Sequence, residues 1–535
     1  MFYTKHIILP FADFYMQKSH IIVNYKLLSL LLVQTHHTLP KYIHLGGLLM
    51  LYHIITSINS FLWGWPFIIF ILAIGIYFMC ASKFFPIFHF SHIWTHTIGS
   101  LWSKEAKMTL AKRKGTVSPF EAACIAIGGA VGCTTIGGVA TAIATGGPGA
   151  IFWMWVWAFL GMIIKCVETS LGCYYRYKNE KGEYYGGSVY FIADGIGKDL
   201  HFPKIAKYLA MLFSFGFVAQ FLGGSQVFTI AEILNRSFGF DMIAVTIIYS
   251  AILFYIVFNG VPRIAAFATR VVPFMCILFI AAGLGVIGAN LQQVPHAFEE
   301  IFTYAFTDTA PIGGFAGATI IQTINDGLAR SINSNEAGQG SSPLIYGSAN
   351  TVHPVRQGLW GSFDVFINTI VISTITALSV LVSGVWDSGQ FGATLTIMAY
   401  NSVYGYPGVI LIGLVAVLFG LTTTTGWFTY YVSIIQWVFK NHPSLRDRLI
   451  TLLKFVYPLP NIIIVSSIVL TGNGPDLFWT IVNITLVFPV GFNLLSLFFL
   501  RGKFKELLND YKARYMGIGT IDPNFKIFRN TRPRK

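Results

Sequence analysis

The chain has 535 residues, of which 54% are hydrophobic and only 11% are charged. Soluble domains carry about a quarter charged residues, so this composition excludes a water-soluble globular protein. A formal net charge of +14 would suggest a nucleic-acid partner in a soluble protein. Here the basic residues lie between long apolar runs, which is typical of membrane proteins. The six cysteines lack the spacing of metal ligands or of a disulfide framework.

Apolar runs long enough to cross a bilayer predict an all-α integral membrane protein with eleven membrane-spanning helices. The predicted spans are 62–82, 119–144, 148–173, 206–234, 242–260, 268–291, 314–336, 357–384, 407–437, 450–471 and 477–500. Segments after the odd-numbered spans are rich in Lys and Arg, whereas the opposite set contains a single basic residue, Arg236. Because basic loops face the cytoplasm, this pattern predicts an N-terminus outside the cell and a cytoplasmic C-terminus.

The two ends of the chain differ from the predicted transmembrane domain, 50–500. Residues 1–49 carry lysines that oppose the charge rule, so they are predicted to be an N-terminal extension, with Met50 as an alternative start. The segment 501–535 is basic and predicted to be a cytoplasmic tail. Its first part is amphipathic and predicts a helix at the membrane interface.

The second span contains five glycines and two threonines between Gly128 and Gly138. Glycine costs about 1 kcal/mol per helical position relative to alanine, so this density needs an explanation. Small residues allow close packing between helices. Alternatively, the helix unwinds at midplane, and its free carbonyl and amide groups bind a cation and a carboxylate. The second interpretation is favoured, because irregular backbone is tolerated in a membrane where it lines a cavity.

The seventh span contains Asn325, Asp326 and Gly327, which are poor helix formers. An ionisable group inside a membrane indicates function, unless the span ends at Asp326 and these residues are wet. Together with the second span, five spans earlier, it supplies the pair of interrupted helices from which inverted-repeat transporters build their site. The corresponding repeats are predicted at 119–291 and 314–500.

Three further polar features lie within spans. The hydroxyls of Thr422–Thr425 either bond their own helix or offer oxygen ligands to a hard cation such as sodium. Gln226 either joins two helices or contacts a substrate. Lys165 and Glu168, three residues apart, are predicted to form a structural pair. No phosphate-binding loop or catalytic motif occurs, so an ion gradient rather than ATP is expected to drive any transport, and no enzyme activity is expected.

Several motifs resemble those of the alanine/glycine:cation symporter family, over roughly residues 50–515. The signature-like segments are Ser118-Pro119-Phe120, Gly137-Gly138-Val139-Ala140, Phe152-Trp153-Met154-Trp155, Ser334-Asn335-Glu336-Ala337-Gly338 and His353-Pro354-Val355-Arg356. The resemblance implies a LeuT-type fold, in which one extra N-terminal helix precedes two inverted five-helix repeats. It also implies a secondary active symporter of the cell (inner) membrane, which imports alanine or glycine with sodium, or in some members protons, by alternating access.

The resemblance further implies the residues of the site, with sodium as the coupling ion and no other cofactor. The expected substrate contacts are Cys133, Thr134, Thr135, Gln226, Asn325, Asp326, Gly327 and Trp427. The expected sodium ligands are Gly128, Val131, Phe419, Thr422 and Thr423. The family usually has Gly-Thr-Gly-Asn where this chain has Gly132-Cys133-Thr134-Thr135. Threonine offers one hydroxyl in place of an amide and a carbonyl, so the substrate preference can differ from the usual one.

Rival functions are a transporter of the same fold with another small substrate, a channel, and a sensor that does not transport. A channel would show polar stripes on several helices or a carbonyl filter. A sensor would add a soluble signalling domain, for which the tail is too short. The expected partners are therefore a small amino acid, sodium or a proton, and the lipid bilayer, with no nucleic acid and no obligate protein partner.

Overall fold

A computed structural model describes residues 39–102, 117–221, 225–471 and 476–529. The chain divides into two compact units, Met1–Ile58 and Asn59–Lys535. The predicted domain boundary at residue 49 falls inside the first described helix, Leu39–Leu62. Most of the predicted N-terminal extension, residues 1–38, lies outside the described residues.

The described part is mostly helical. Its first eleven α-helices are α1 Leu39–Leu62, α2 Trp65–Ala81, α3 Phe85–Phe88, α4 Phe90–His96, α5 Pro119–Ala130, α6 Val139–Gly146, α7 Ala150–Tyr174, α8 Ser188–Phe191, α9 Pro203–Phe221, α10 Ser225–Phe238 and α11 Met242–Val257. The next twelve are α12 Val261–Ala289, α13 Val294–Tyr304, α14 Ile320–Asn335, α15 Pro343–Tyr346, α16 Pro354–Val365, α17 Thr374–Val382, α18 Ala393–Tyr404, α19 Tyr406–Val438, α20 Pro443–Val456, α21 Leu459–Thr471, α22 Asp476–Phe499 and α23 Arg501–Met516.

Shorter elements complete the described chain. Two strands, β1 Tyr177–Lys178 and β2 Tyr184–Tyr185, pair antiparallel. Wider π-helical turns occupy Thr134–Gly138, Ile192–Asp199 and Phe366–Ser373, and 3-10 turns occupy Ile98–Trp102 and Leu291–Gln293.

Eight of the eleven predicted spans correspond to apolar helices of membrane-spanning length. Seven are single segments: Tyr52–Ala81, Ala150–Tyr174, Val261–Ala289, Pro354–Val382, Tyr406–Val438, Pro443–Thr471 and Thr480–Phe499. The eighth is the pair Pro119–Ala130 and Thr134–Gly146, bent by 48°. The predicted spans 206–234, 242–260 and 314–336 contain shorter helices, α9 with α10, α11 and α14. The predicted helical class is confirmed, and the count of eleven stays a prediction.

Local capping sequences start the two helices that later frame the site. Ser118 accepts a hydrogen bond from the Glu121 backbone N–H at 3.2 Å, and the Glu121 carboxylate accepts one from the Ser118 N–H at 2.7 Å. This reciprocal pair, followed by a proline at the first helical position, starts α5. The Thr319 hydroxyl starts α14 by accepting from the N–H of Gln322.

The core is organised around α7, which packs against both α14 and α16. Lys165 Nζ on α7 lies 2.7 Å from Asp364 Oδ2 on α16, and both side chains are fully buried. Lys165 thus makes its direct ion pair with Asp364 rather than with Glu168 as predicted. Glu168 interacts with Lys165 at longer range and accepts a hydrogen bond from Asn493 at 2.8 Å. Lys165 pairs with Asp364 because α16 approaches α7 closely. Gly361 has no side chain, and a Cβ atom there would lie 2.7 Å from the Lys165 carbonyl oxygen.

The tail begins with the predicted amphipathic helix, α23. Its apolar face, made of Phe504, Leu507, Leu508 and Tyr511, is buried against the protein. Asp510 on the same helix accepts hydrogen bonds from His353 and Arg514. Burial alone would raise the pKa of Asp510, but these two hydrogen bonds hold it below its ordinary value. The helix is thus attached to the start of α16 by a charged group as well as by apolar contacts.

Replacing Lys165 by Met should lower the free energy of unfolding by about 3–5 kcal/mol, because the Asp364 carboxylate would stay buried without its cation. The double variant Lys165→Met, Asp364→Leu removes both charges and should recover most of that loss. Denaturant unfolding of the purified protein in detergent measures both effects. If the double variant is no more stable than the single one, the two groups do not act as a pair.

Candidate functional site

The predicted break in the second span lies between α5 and the π-helical turn Thr134–Gly138. Here the N–H of Gly132 bonds the carbonyl of Ala130, only two residues earlier, so the helical ladder is interrupted. The glycines also permit close packing. A Cβ atom at Gly132 would lie 2.6 Å from Thr423 Oγ1, and one at Gly129 would lie 2.5 Å from the Tyr430 hydroxyl. The break and the close approach of α19 thus occupy the same residues, whereas the binding of a cation and a carboxylate there stays a prediction.

The second break lies ten residues later than predicted. Helix α14 continues through Asn325, Asp326 and Gly327 and ends at Asn335. The interior helical positions are stabilised by packing, which overrides the low propensity of this triplet. Gln322 and Thr323, just before it, bond the carbonyls of Thr145 and Gly146, so this part of α14 is held against the end of α6.

The end of α14 is shaped by the Ser334–Gly338 motif. Glu336 adopts a left-handed conformation with φ of 56°, which is costly for a residue with a side chain. The Asn335 side chain accepts from the N–H of Ala337 and donates to Thr369 at 3.0 Å. Lys165 donates to the Asn335 carbonyl at 2.6 Å, where a helix end would otherwise leave an acceptor unpaired. These contacts explain why the chain turns here rather than at Gly327.

A cavity of about 780 Å³ lies between the two breaks and helices α10 and α19. Four of the predicted substrate residues line it, namely Cys133, Thr134, Gln226 and Trp427. The other four, Thr135, Asn325, Asp326 and Gly327, do not line it. Thr135 is fully buried with its hydroxyl 3.4 Å from that of Ser334, so it faces the neighbouring helix instead.

Three hydrogen bonds hold the polar groups of the cavity in place. The backbone N–H of Cys133 donates to Gln226 Oε1 at 2.8 Å, which joins the first break to α10. Trp427 Nε1 donates to Glu336 Oε1 at 2.8 Å, and its ring stacks on Phe217 with centroids 5.4 Å apart. Gln339 donates to Gln220 at 3.0 Å. Both breaks are thereby connected to the helices opposite them.

Of the five residues predicted as sodium ligands, Gly128, Val131 and Thr423 are in contact where α5 meets α19, whereas the hydroxyl of Thr422 bonds the Leu418 and Phe419 carbonyls of its own helix. The Thr423 hydroxyl lies 3.0 Å from the Gly128 carbonyl oxygen and 3.5 Å from that of Val131. The Thr422 hydroxyl donates to the Phe419 carbonyl at 2.9 Å. Thr422 also packs closely on Gly128, where an added Cβ atom would lie 3.0 Å from Thr422 Cβ. These groups are neutral oxygens, the donor type that hard cations prefer.

Sequence reasoning missed a polar stripe on α14. Arg330, Asn333 and Glu336 are spaced by three residues and all line the cavity. The spacing alone would have placed them on one helical face. The predicted break at Asn325–Gly327 assigned the substrate contacts to that triplet, although Arg330, Asn333 and Glu336 also lie within the predicted span 314–336.

Replacing Trp427 by Phe should lower the free energy of unfolding by about 1–3 kcal/mol, because the buried Glu336 carboxylate loses its indole donor while the ring contact with Phe217 remains. Trp437→Phe, ten residues later on α19, is the matched control and should change stability little, since its indole makes no hydrogen bond within the described residues. Denaturant unfolding in detergent compares the two variants. Equal losses of unfolding free energy in the two variants would show that the Trp427 hydrogen bond does not stabilise the protein.

Comparison with known proteins supplies the family. A model described as the sodium:alanine symporter family matches residues 49–526. The sodium/alanine symporter AgcS of Methanococcus maripaludis is 34% identical, over 71% of this chain and 81% of that protein. The probable sodium/glutamine symporter GlnT of Bacillus subtilis is 32% identical, over 86% of this chain and 91% of that protein. The uncharacterized transporter YflA of the same species is 35% identical, over 85% of this chain and 93% of that protein. The chain is a multi-pass membrane protein that belongs to the sodium:alanine symporter family.

Proposed function

We propose that the protein imports a small neutral amino acid together with sodium, as a secondary active symporter that works by alternating access. The proposal includes a LeuT-type arrangement of eleven spans, with repeats at 119–291 and 314–500. It also includes an N-terminus outside the cell membrane and a cytoplasmic C-terminus. Membership of the family supports this proposal, as does the similarity to relatives named as sodium/alanine and sodium/glutamine symporters.

The observation that carries the proposal is the position of the Thr423 hydroxyl. It contacts the carbonyl oxygens of Gly128 and Val131, directly beside the first helix break. A sodium ion taking these oxygens as ligands would tie α5 to α19. Since both helices also line the cavity, the ion would stabilise one shape of that cavity, which is the physical requirement for coupling two ligands.

The substrate is assigned to the cavity between the breaks, in contact with Cys133, Thr134, Gln226 and Trp427. Backbone N–H groups at a helix break suit a carboxylate. The indole of Trp427 occupies one wall and is fixed by Glu336 and Phe217. A fixed aromatic wall limits the length of the amino-acid side chain that the cavity accepts.

Uptake of labelled alanine into proteoliposomes tests the proposal directly. An inward sodium gradient should drive accumulation above equilibrium, and its removal should abolish accumulation. A pH gradient imposed without sodium distinguishes proton coupling. Saturable uptake that neither gradient drives would indicate a uniporter, and a large ion current without accumulation would indicate a channel. Either result would refute the symporter.

Thr423→Val should raise the sodium concentration for half-maximal uptake about tenfold, because valine keeps the branched shape but removes one oxygen ligand worth about 1.4 kcal/mol. Thr425→Val is the matched control. Its hydroxyl is fully buried on the same helix and, within the part of the chain that the structure describes, bonds only the carbonyls of Leu421 and Thr422. Sodium titrations of alanine uptake compare the variants, and an equal sodium dependence in both would refute the cation assignment.

Trp427→Ala should admit larger neutral amino acids such as leucine, at some loss of alanine affinity. A single methylene of fit is worth about 1–3 kcal/mol, so the ranking of glycine, alanine, valine and leucine as competitors should shift by at least about tenfold. Trp427→Phe keeps a ring at the wall and should leave the ranking closer to that of the parent protein. If both variants fold and retain the parent ranking, Trp427 does not limit substrate size.

A further inference from the structure

Four charged side chains line the cavity: Glu232, Arg236, Arg330 and Glu336. Three of them have partners. Arg236 Nη2 lies 2.8 Å from Glu232 Oε1 on the same helix. Glu336 accepts hydrogen bonds from Trp427 and Ser341. Arg330 is the exception, and its guanidinium makes no hydrogen bond or ion pair of contact length with any residue in the described ranges.

The opposite charge nearest in sequence to Arg330 is Asp326, one helical turn earlier on α14. Asp326 interacts electrostatically with Arg330 but does not line the cavity. A guanidinium carries five N–H donors in one plane. A cation inside a membrane protein is costly unless those donors are used, so the side chain is suited to an anionic group that enters from the cavity.

Arg330 lies against the first helix break. A Cβ atom at Gly138 would lie 3.9 Å from Arg330 Cδ and 2.7 Å from Thr134 Cγ2. The arginine stem therefore lies within van der Waals reach of the Thr134–Gly138 turn, while the missing side chain at Gly138 leaves room for Thr134. Arg330 and Thr134 line the same cavity.

We infer that Arg330 binds the carboxylate group of the transported amino acid, on the side of the cavity formed by the Thr134–Gly138 turn. This inference rests on the proposed function and names the group that the substrate must carry. Arginine binds a carboxylate through two parallel N–H···O bonds, which give orientation as well as affinity. Thr135 cannot contribute to this contact, because its side chain faces Ser334 outside the cavity.

The consequence is selectivity for free amino acids over related amines. A compound with the same amine and side chain but no carboxylate leaves the guanidinium without its partner. Charge-assisted hydrogen bonds are worth about 1.5–3 kcal/mol, so the carboxylate should contribute about 10- to 100-fold in affinity. The alternative is that Arg330 only stabilises α14 through Asp326.

The test compares alanine with alaninamide, which replaces the carboxylate by a neutral amide, as ligands of the full-length protein in saturating sodium. Competition with labelled alanine gives both affinities for the parent protein, Arg330→Gln and Arg330→Lys. Arg236→Gln is the matched control, since it removes another arginine from the cavity lining. Thermal stabilisation by sodium alone, without substrate, reports whether each variant is folded.

In Arg330→Gln, the affinity for alanine should fall about 10- to 100-fold, while that for alaninamide stays constant. The affinity of Arg330→Lys for alanine should lie between those of Arg330→Gln and the parent protein, because lysine keeps the charge but loses the bidentate geometry. If Arg330→Gln does not fold, the Arg330→Lys variant provides the test. An unchanged ratio of the two affinities in the folded variants overturns the inference and leaves the symporter function standing. If the parent protein transports no amino acid, the proposed function fails as well.

Discussion

The site depends on one buried ammonium group. Lys165 Nζ contacts Asp364 Oδ2 at 2.7 Å and the Asn335 carbonyl at 2.6 Å, so a single cation joins α7, α16 and the end of α14. A helix that stops inside a protein leaves carbonyls unpaired, and a lysine near its C-terminus satisfies them and matches the helix dipole. The chain can then turn through Glu336 and direct that residue into the cavity.

The two helix breaks are built by different means. The first uses glycine, since Gly129 and Gly132 leave room for Tyr430 and Thr423 of α19. The second uses hydrogen bonds from Asn335 and Lys165, which hold a non-glycine residue in a left-handed conformation. The first break exposes neutral backbone groups, whereas the second presents charged side chains, so the two walls of the cavity differ in chemistry.

Helix α19 links the proposed cation site to the cavity. Thr423 and Trp427 are four residues apart and therefore lie on the same face of the helix. Thr423 contacts the first break, and Trp427 contacts Glu336 at the second. A displacement of α19 would alter both breaks together. Coupling between two ligands requires an element of this kind, whose position both ligands bias.

The membrane class, eight of the spans and the family could be predicted from the amino-acid sequence, because hydropathy and the signature motifs are local properties of the chain. The position of the first break also followed from the sequence, since a cluster of glycines within one span is read residue by residue. The partner of Lys165, the unbroken course of α14 through Asn325–Gly327 and the place of Arg330 in the cavity could be seen only once the helices were packed together. Each of these depends on which distant helix approaches, and propensity within one segment carries no information about that approach.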